Sequence, residues 1–515
     1  MGILWSRSVD PSHARQRKML GVAALLAASS TLGCATLGNA FSYPAHHCQY
    51  GDILDCEHYP PTPQLREPSS DGYRFANAPA SDQNSDELFV VLILSGGGTR
   101  SAALSYGVMK ELGRAMVPRA NRSLLDEVDV ISSVSGGSFP AAYLALNGPA
   151  GLPNFEGEFL RWNAQKDLIF SVLFNQGTRN RLRSQYFGRS DLAVEKWDQH
   201  VFHGATFGQL IGRRPFLMID ATDIATGTVF PFTQQNVDPL CVDLAKFQIA
   251  RAVGASGAFP PLLNPITIEN HASHCRYLPP EWVTKSSREQ RVNPEVFRLA
   301  SEVMSYTNVG TRPYIHLTDG GIGDNIGARN VMRALSMREA EIPLVDMVEA
   351  GLIQRMLIIV VNAKTVDEND IDKSPHSPGF VRTALGAAGA PMNNYSRQSI
   401  AELWHSVEQL EEKHPDTMCS NASLVGCLSM FYTVELSFDQ ISDIEERRFF
   451  EHLPTSYALD NHVVDALIAR GGQLLRMNPE YNRLLCDLQH GDWKKRGADA
   501  ACRERAYLGY QASQP

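Results

Sequence analysis

Three apolar runs in this chain each end in a cluster of glycines, and that recurrence limits the folds open to it more than any other feature. Leu88-Phe89-Val90-Val91-Leu92-Ile93-Leu94 leads into Ser95-Gly96-Gly97-Gly98-Thr99-Arg100. Val128 to Val134 leads into Ser135-Gly136-Gly137, and Tyr314 to Thr318 into Asp319-Gly320-Gly321. The first run shows no polar alternation, the pattern of a strand buried on both faces in a parallel sheet. Segments that read as helices follow the first two, Ala102 to Ala115 and Ala141 to Leu146. Two strand–turn–helix units in succession predict an α/β architecture.

The remaining pattern fits that class. Pro215 to Asp223, Met356 to Val361 and Phe431 to Leu436 read as further strands, with Thr228 to Phe232 as a hairpin partner of the first. Residues 246–259 read as a helix, 150–210 as a helical cap and 270–310 as a polar insertion. Ile400, Leu403, Trp404, Val407 and Leu410 mark one face of an amphipathic helix, and Val463, Val464, Leu467 and Ile468 mark another. The small apolar stretch 379–391 fits a core helix, and also a lining for an acyl chain or a membrane contact.

The loop Gly96-Gly97-Gly98 is an anion cradle. Backbone N–H groups at a helix start converge on one spot, the helix dipole adds partial positive charge, and glycines let a ligand oxygen come close. Its occupant is either a phosphate or the transient oxyanion of an acyl transfer. A phosphate-binding loop of the nucleotide-binding kind needs Gly-Lys-Ser/Thr at its end. Thr99-Arg100-Ser101 stands there instead, with no such lysine.

Ser133-Val134-Ser135-Gly136-Gly137 has the form of a GxSxG elbow with Ser133 in place of the first glycine. A tight strand-to-helix turn holds a serine hydroxyl away from its backbone, and small neighbours let the turn close. Asp319, at the end of another strand, is a candidate to accept the proton of Ser135. Read alone, Asp319 fits a simple turn better. His316 lies three residues earlier and reads as a packing or hydrogen-bonding strand residue. His452, His462 and His490 sit in no evident motif of a three-residue hydrolase triad.

Taken in order, Gly96-Gly97-Gly98-Thr99-Arg100, Ser135-Gly136-Gly137 and Asp319-Gly320-Gly321 resemble the patatin-like phospholipase family, which includes the catalytic domain of cytosolic phospholipase A2 as a relative. Ala255-Ser256-Gly257-Ala258-Phe259-Pro260 is similar to the family's Ala-Ser-x-Ala-x-Pro block, and Asp220 to Gly227 to its Thr-Asp…Thr-Gly segment. The resemblance covers roughly residues 88–330. It implies a three-layer α/β/α sandwich with a mostly parallel central sheet, a nucleophile elbow and helical insertions. It implies a Ser–Asp dyad in which Ser135 is the nucleophile and Asp319 the base, with the N–H groups of Gly97 and Gly98 as the oxyanion hole. Gly96, Gly137 and Gly320 support these turns, and Arg100 either supports the loop or meets a lipid phosphate. The implied activity is lipid acyl hydrolysis, of the phospholipase A or lysophospholipase kind, on a phospholipid or other acyl ester and without a cofactor. Ser133 and Ser101 depart from the family pattern by small substitutions. A catalytically silent lipoprotein that binds acyl chains or a protein, and an acyltransferase with the same dyad, are the competing readings.

The N-terminus reads as an export signal. Arg7, Arg15, Arg17 and Lys18 precede the apolar stretch Met19 to Leu32, and Gly33-Cys34 follows. The small residue before Cys34 resembles a bacterial lipobox, with Thr31 where such boxes carry leucine, so Cys34 is the expected lipidation site. The expected divisions are a signal at 1–33, an extended tether at 34–86, a catalytic domain at 87–375 and a C-terminal extension at 376–515 that completes or caps the core. The expected location is the cell envelope, anchored in the outer membrane, with periplasmic or secreted forms as alternatives. The formal charge is −9, and −12 without residues 1–33, which speaks against a nucleic-acid partner. Nine cysteines, with Cys34 set aside, fall into the neighbours 48/56, 241/275, 419/427 and 486/502, a pattern that suggests disulfides in an exported protein. Neither CxxC nor HxxxH spacing occurs, so no metal site is expected.

Overall fold

The structure is a computed structural model. It describes residues 66–489 apart from 67, 82–83, 119, 185–186, 261, 289–293, 366–375, 378 and 415–429, and, in 380–394, the side chains of only a few residues. The expected signal, Cys34, most of the tether and the cysteine pairs 48/56 and 419/427 lie outside the described residues. So do most side chains of the 379–391 stretch.

Eight strands form one sheet. In chain order they are β1 (Leu88–Leu94), β2 (Val128–Val134), β3 (Phe216–Asp223), β4 (Thr228–Pro231), β5 (Ile266–Glu269), β6 (Tyr314–Thr318), β7 (Arg355–Asn362) and β8 (Phe431–Ser437). The spatial order is β5-β6-β3-β2-β1-β7-β8, with β4 paired to β3. The run β3-β2-β1-β7-β8 is parallel, and β4, β5 and β6 join antiparallel. Helices cover the sheet, giving the three-layer α/β/α sandwich. Every residue of β1, β2, β3 and β7 is buried, as parallel strands covered on both faces require. The strand β5, Ile266-Thr267-Ile268-Glu269, is absent from the sequence expectation: its alternation spans only four residues, between Pro265 and the polar insertion.

The helices used below are α1 (Gly98–Leu112), α2 (Ser138–Gly151), α3 (Ala164–Phe174), α4 (Gln176–Arg181), α5 (Arg189–Trp197), α6 (Ile249–Ser256), α7 (Phe380–Lys413) and α8 (Asn461–Met477). Two of them start earlier than expected. α1 begins at Gly98 and not Ala102, and α2 begins at Ser138 and not Ala141, directly after a short turn of 3₁₀ helix at Ser135–Gly137. Glycine and serine are weak helix formers, so their presence hides a helix start that the tertiary fold imposes. The 379–391 stretch and the amphipathic face beyond it are one helix, α7. The polar insertion holds two helices, Glu281–Ser286 and Pro294–Tyr306.

The C-terminal region is built into this sandwich. β8 extends the sheet beside β7, and α8 lies against α1. The two helices touch backbone to backbone: a side-chain carbon on Gly107 would collide with the Ile468 carbonyl, and one on Gly471 with the Leu104 carbonyl. The expected tether is described from Arg66 onward, apart from positions 67 and 82–83, and there it lies on the domain. The buried hydroxyl of Tyr73 donates to the Leu217 carbonyl at 2.9 Å, and its ring stacks on Phe216 at 4.7 Å. Cys241 and Cys275 form a disulfide, as their spacing suggested. Cys486 is also disulfide-bonded; Cys502, with which the sequence groups it, lies outside the described residues.

Strand register sets the site. Val134 pairs with Asp220 on one side of β3, so Ser135 follows at the level of Ala221. On the other side Thr318 pairs with Thr222 in the opposite sense, so Asp319 arrives at that same level. Two strand spacings, about 10 Å between backbones, separate the two residues, a gap that two inward-turned residues can close.

Candidate active site

Ser135 sits on the turn between β2 and α2 with φ 49°, a left-handed value unusual for a residue with a side chain. Such a conformation costs about 1–3 kcal/mol and persists only where its surroundings hold it. Here the Ser135 N–H donates to Ser256 Oγ at 2.7 Å, and the Ser256 hydroxyl donates to the Asp220 carbonyl at 2.6 Å. Ser256 ends α6 within the Ala255–Pro260 block, so that block clamps the elbow to β3. Ser133, in the place of a motif glycine, turns its hydroxyl to the Met218 carbonyl at 3.2 Å inside the sheet.

The Ser135 hydroxyl donates to Asp319 Oδ2 at 3.0 Å, and both residues are nearly fully buried. The other carboxylate oxygen accepts the Gly321 N–H at 2.8 Å. The backbone around Asp319 is tied down as well: its N–H donates to the Ala258 carbonyl at 3.1 Å, the Gly320 N–H to the Ser256 carbonyl at 3.0 Å, and the Thr222 hydroxyl to the Asp319 carbonyl at 2.8 Å. Burial raises the Asp319 pKa from 3.8 to about 6, and the hydrogen bonds from Gly321 and Ser135 pull it back only in part. The site therefore holds a carboxylate of raised basicity against a serine hydroxyl.

The glycine loop faces this pair. Gly97 and Gly98 have φ 144° and 60°, values that glycine adopts without strain. Gly136 of the elbow lies so close to Gly98 that a side chain at 136 would strike its backbone. Of the donors that open α1, the Thr99 N–H is taken by the Ser456 carbonyl at 2.8 Å, and the Gly96 N–H before it by the Asn325 carbonyl at 2.9 Å. Among the described residues nothing accepts from the N–H groups of Gly97 and Gly98. Two unpartnered donors at a helix start, beside a serine hydroxyl, form a site for negative charge. Ser101 strengthens the loop, since its hydroxyl donates to the Ser95 carbonyl. Gly137 packs against the carbonyls of Leu94 and Ser95, joining elbow to loop.

Arg100 supports the loop. Its guanidinium donates to the carbonyls of Ala363 at 2.9 Å and Leu453 at 2.7 Å and to Thr455 Oγ1 at 3.3 Å, and it is 3% exposed. These partners occupy the guanidinium with protein oxygens, which favours the loop-supporting role over the meeting of a lipid phosphate. His316 Nδ1 meets Thr267 Oγ1 of β5 at 2.9 Å, the hydrogen-bonding strand role expected of it, and burial lowers its pKa. Among the described residues no group of three or more His, Cys, Asp or Glu is placed to hold a metal ion.

Tyr457 is a site residue that the sequence did not bring forward. It stands on the loop before α8, its hydroxyl donates to the Gly257 carbonyl at 2.8 Å, and it neighbours Ser135 and Asp319. Burial and the neighbouring Asp319 raise its pKa. Its ring packs on Trp197 at 5.0 Å and Phe139 at 6.1 Å. The same loop carries Leu453, Thr455 and Ser456, so one C-terminal segment braces Arg100 and Thr99 and carries Tyr457 beside Ser135. No local pattern marks a tyrosine for such a role.

A family model described as patatin-like phospholipase matches residues 92–332. No curated protein matches the chain. The matched span contains the glycine loop, the elbow and Asp319, and ends before β7, β8 and Tyr457.

Proposed function

From the patatin-like phospholipase domain at residues 92–332, which belongs with lipid acyl hydrolases, we propose that this protein cleaves a carboxylic ester of a lipid, with Ser135 as nucleophile and Asp319 as its base. The observation that carries this reading is the 3.0 Å bond from Ser135 Oγ to Asp319 Oδ2 beside the two unpartnered N–H groups of Gly97 and Gly98.

In the first half-reaction Ser135 Oγ passes its proton to Asp319 as it bonds to the ester carbonyl carbon. The carbonyl oxygen becomes an oxyanion, which takes hydrogen bonds from Gly97 and Gly98 and gains from the α1 dipole. Collapse breaks the ester bond, and the departing alkoxide takes the proton from Asp319. In the second, water gives a proton to Asp319 and attacks the acyl-serine. A second oxyanion collapses, and the proton returns to Ser135 as the fatty acid leaves. A base with pKa about 6 is strong enough to accept a proton and is still ionised near neutrality. No histidine takes part in these steps.

The substrate class within this reading is a phospholipid or lysophospholipid. Residues 1–33 direct export, and a lipid on Cys34 holds the protein at the envelope. Hydrolysis of phospholipid and lysophospholipid by the wild type, with none by Ser135→Ala, is the expected result; equal rates in the two would sink the enzyme. Product analysis with an alcohol acceptor separates hydrolysis from acyl transfer. Metabolic labelling with palmitate, lost in Cys34→Ala, tests the anchor.

A further inference from the structure

Helix α3 turns its two apolar faces in opposite directions. Leu168 and Val172 pack inward against Leu182, Phe187 and Leu192. Phe170, Leu173 and Phe174 point the other way, as their spacing on a 3.6-residue helix dictates, and are 49%, 43% and 73% exposed. Single exposed apolar residues are ordinary on protein surfaces. Three on one helix face, with the Phe170 and Phe174 rings 5.2 Å apart, form a contiguous stripe that needs a partner.

Cations border the stripe. Lys166 lies over the Phe170 ring, 5.6 Å from its centre, and Arg179 of α4 donates to the Leu173 carbonyl at 2.5 Å. Residues 161–189 hold six arginines or lysines and one acid in a chain whose net charge is −9. Arg161 and Arg181 are paired with acids, whereas Lys166 and Arg179 sit at the stripe itself. An apolar helix face with aromatic rings and flanking cations is the pattern of a helix that lies in a bilayer interface, where the rings enter the acyl boundary and the cations meet headgroup phosphates.

We propose that the exposed face of α3 docks this protein on an anionic lipid bilayer, with Phe170, Leu173 and Phe174 inserted and Lys166 and Arg179 on the headgroups. The partner is a membrane and not another protein chain because the cations surround an aromatic stripe on an otherwise acidic molecule. α3 belongs to the cap whose Phe159 and Trp197 pack on Phe139, in the first turn of the helix behind Ser135. Docking there brings to the lipid surface the cap that packs behind the proposed nucleophile. The purpose rests on the hydrolase reading, but binding is measured without turnover.

The test is co-sedimentation of the full chain with vesicles of phosphatidylcholine alone or of equimolar phosphatidylcholine and phosphatidylglycerol. All proteins carry Cys34→Ala, so that no covalent lipid contributes. The parent is expected to bind the anionic vesicles in preference. Phe170→Ser/Leu173→Ser/Phe174→Ser is expected to bind them at least about tenfold more weakly. Lys166→Glu/Arg179→Glu is expected to lose the preference for phosphatidylglycerol. Turnover of a soluble short-chain ester is expected to be unchanged in both, which shows that they are folded. Undiminished binding by the triple variant, or equal binding of the parent to both vesicles, overturns the proposal. A chain that cleaves no ester yet loses vesicle binding with the stripe would instead retire the hydrolase and keep the surface.

Discussion

Replacing Asp319 by asparagine is expected to abolish turnover and at the same time stabilise the fold. The carboxyl is 3% exposed, and burial raises its pKa from 3.8 to about 6. Between those values the folded state holds a proton that the unfolded state releases, so stability falls as pH rises through the interval. Above pH 6 the ionised group has lost about two pKa units of stability, roughly 3 kcal/mol at 1.36 kcal/mol per unit. Asparagine keeps the shape and an oxygen for the Gly321 N–H, and it carries no charge to bury. Urea unfolding of wild type and Asp319→Asn should therefore agree near pH 4 and diverge by about 3 kcal/mol at pH 7, with the variant more stable. On the proposed mechanism the same shift sets the activity profile of the wild type. Its kcat/KM on an uncharged soluble ester should fall about tenfold per pH unit below a midpoint near 6. An Asp319→Asn protein no more stable than wild type at pH 7, or an acid limb with its midpoint near 4, would refute the idea that burial tunes this carboxylate.

Other outcomes follow from the same geometry. Gly98→Ala places a side-chain carbon against the Ser456 carbonyl at a backbone angle that residues with side chains rarely adopt; kcat should fall about 10²–10³-fold with KM little changed, measured by steady-state hydrolysis. Tyr457→Phe removes a hydroxyl that bonds the Gly257 carbonyl next to Ser135, and should lower kcat about tenfold while the unfolding free energy drops by only about 1 kcal/mol. Removing the Cys241–Cys275 bridge by a double alanine substitution frees a 34-residue separation, and should lower stability by roughly 4 kcal/mol in denaturant titration.

The sheet was legible because burial on both faces leaves an unbroken apolar run, as in β1 and β7. Ser135 and Asp319 stood out because a glycine pair after a strand marks a sharp turn, and the fold brings the two within 3.0 Å. What escaped depended on distant partners. Nothing near Arg100 says that its guanidinium seeks carbonyls 263 and 353 residues away. Tyr457 lies 200 residues from the Gly257 carbonyl it bonds, on a loop with no motif of its own. Tyr73 and Phe75 lie in a proline- and serine-rich stretch that suggests a tether, yet both enter the core, because ring burial outweighs local composition. Gly107 and Gly471 weaken their helices when these are considered alone, and only the contact between α1 and α8 shows that neither site has room for a side chain.

The most direct test of the central claim is covalent labelling by a serine-reactive phosphonate, with the modified residue located by mass spectrometry. The phosphonate phosphorus stands in for the ester carbonyl carbon, and its oxygen for the oxyanion proposed to meet Gly97 and Gly98. A single label on Ser135, lost in Ser135→Ala and retained in Ser138→Ala, is the expected result. A label on another serine, or labelling that persists in Ser135→Ala, would contradict the assignment of Ser135 as the nucleophile.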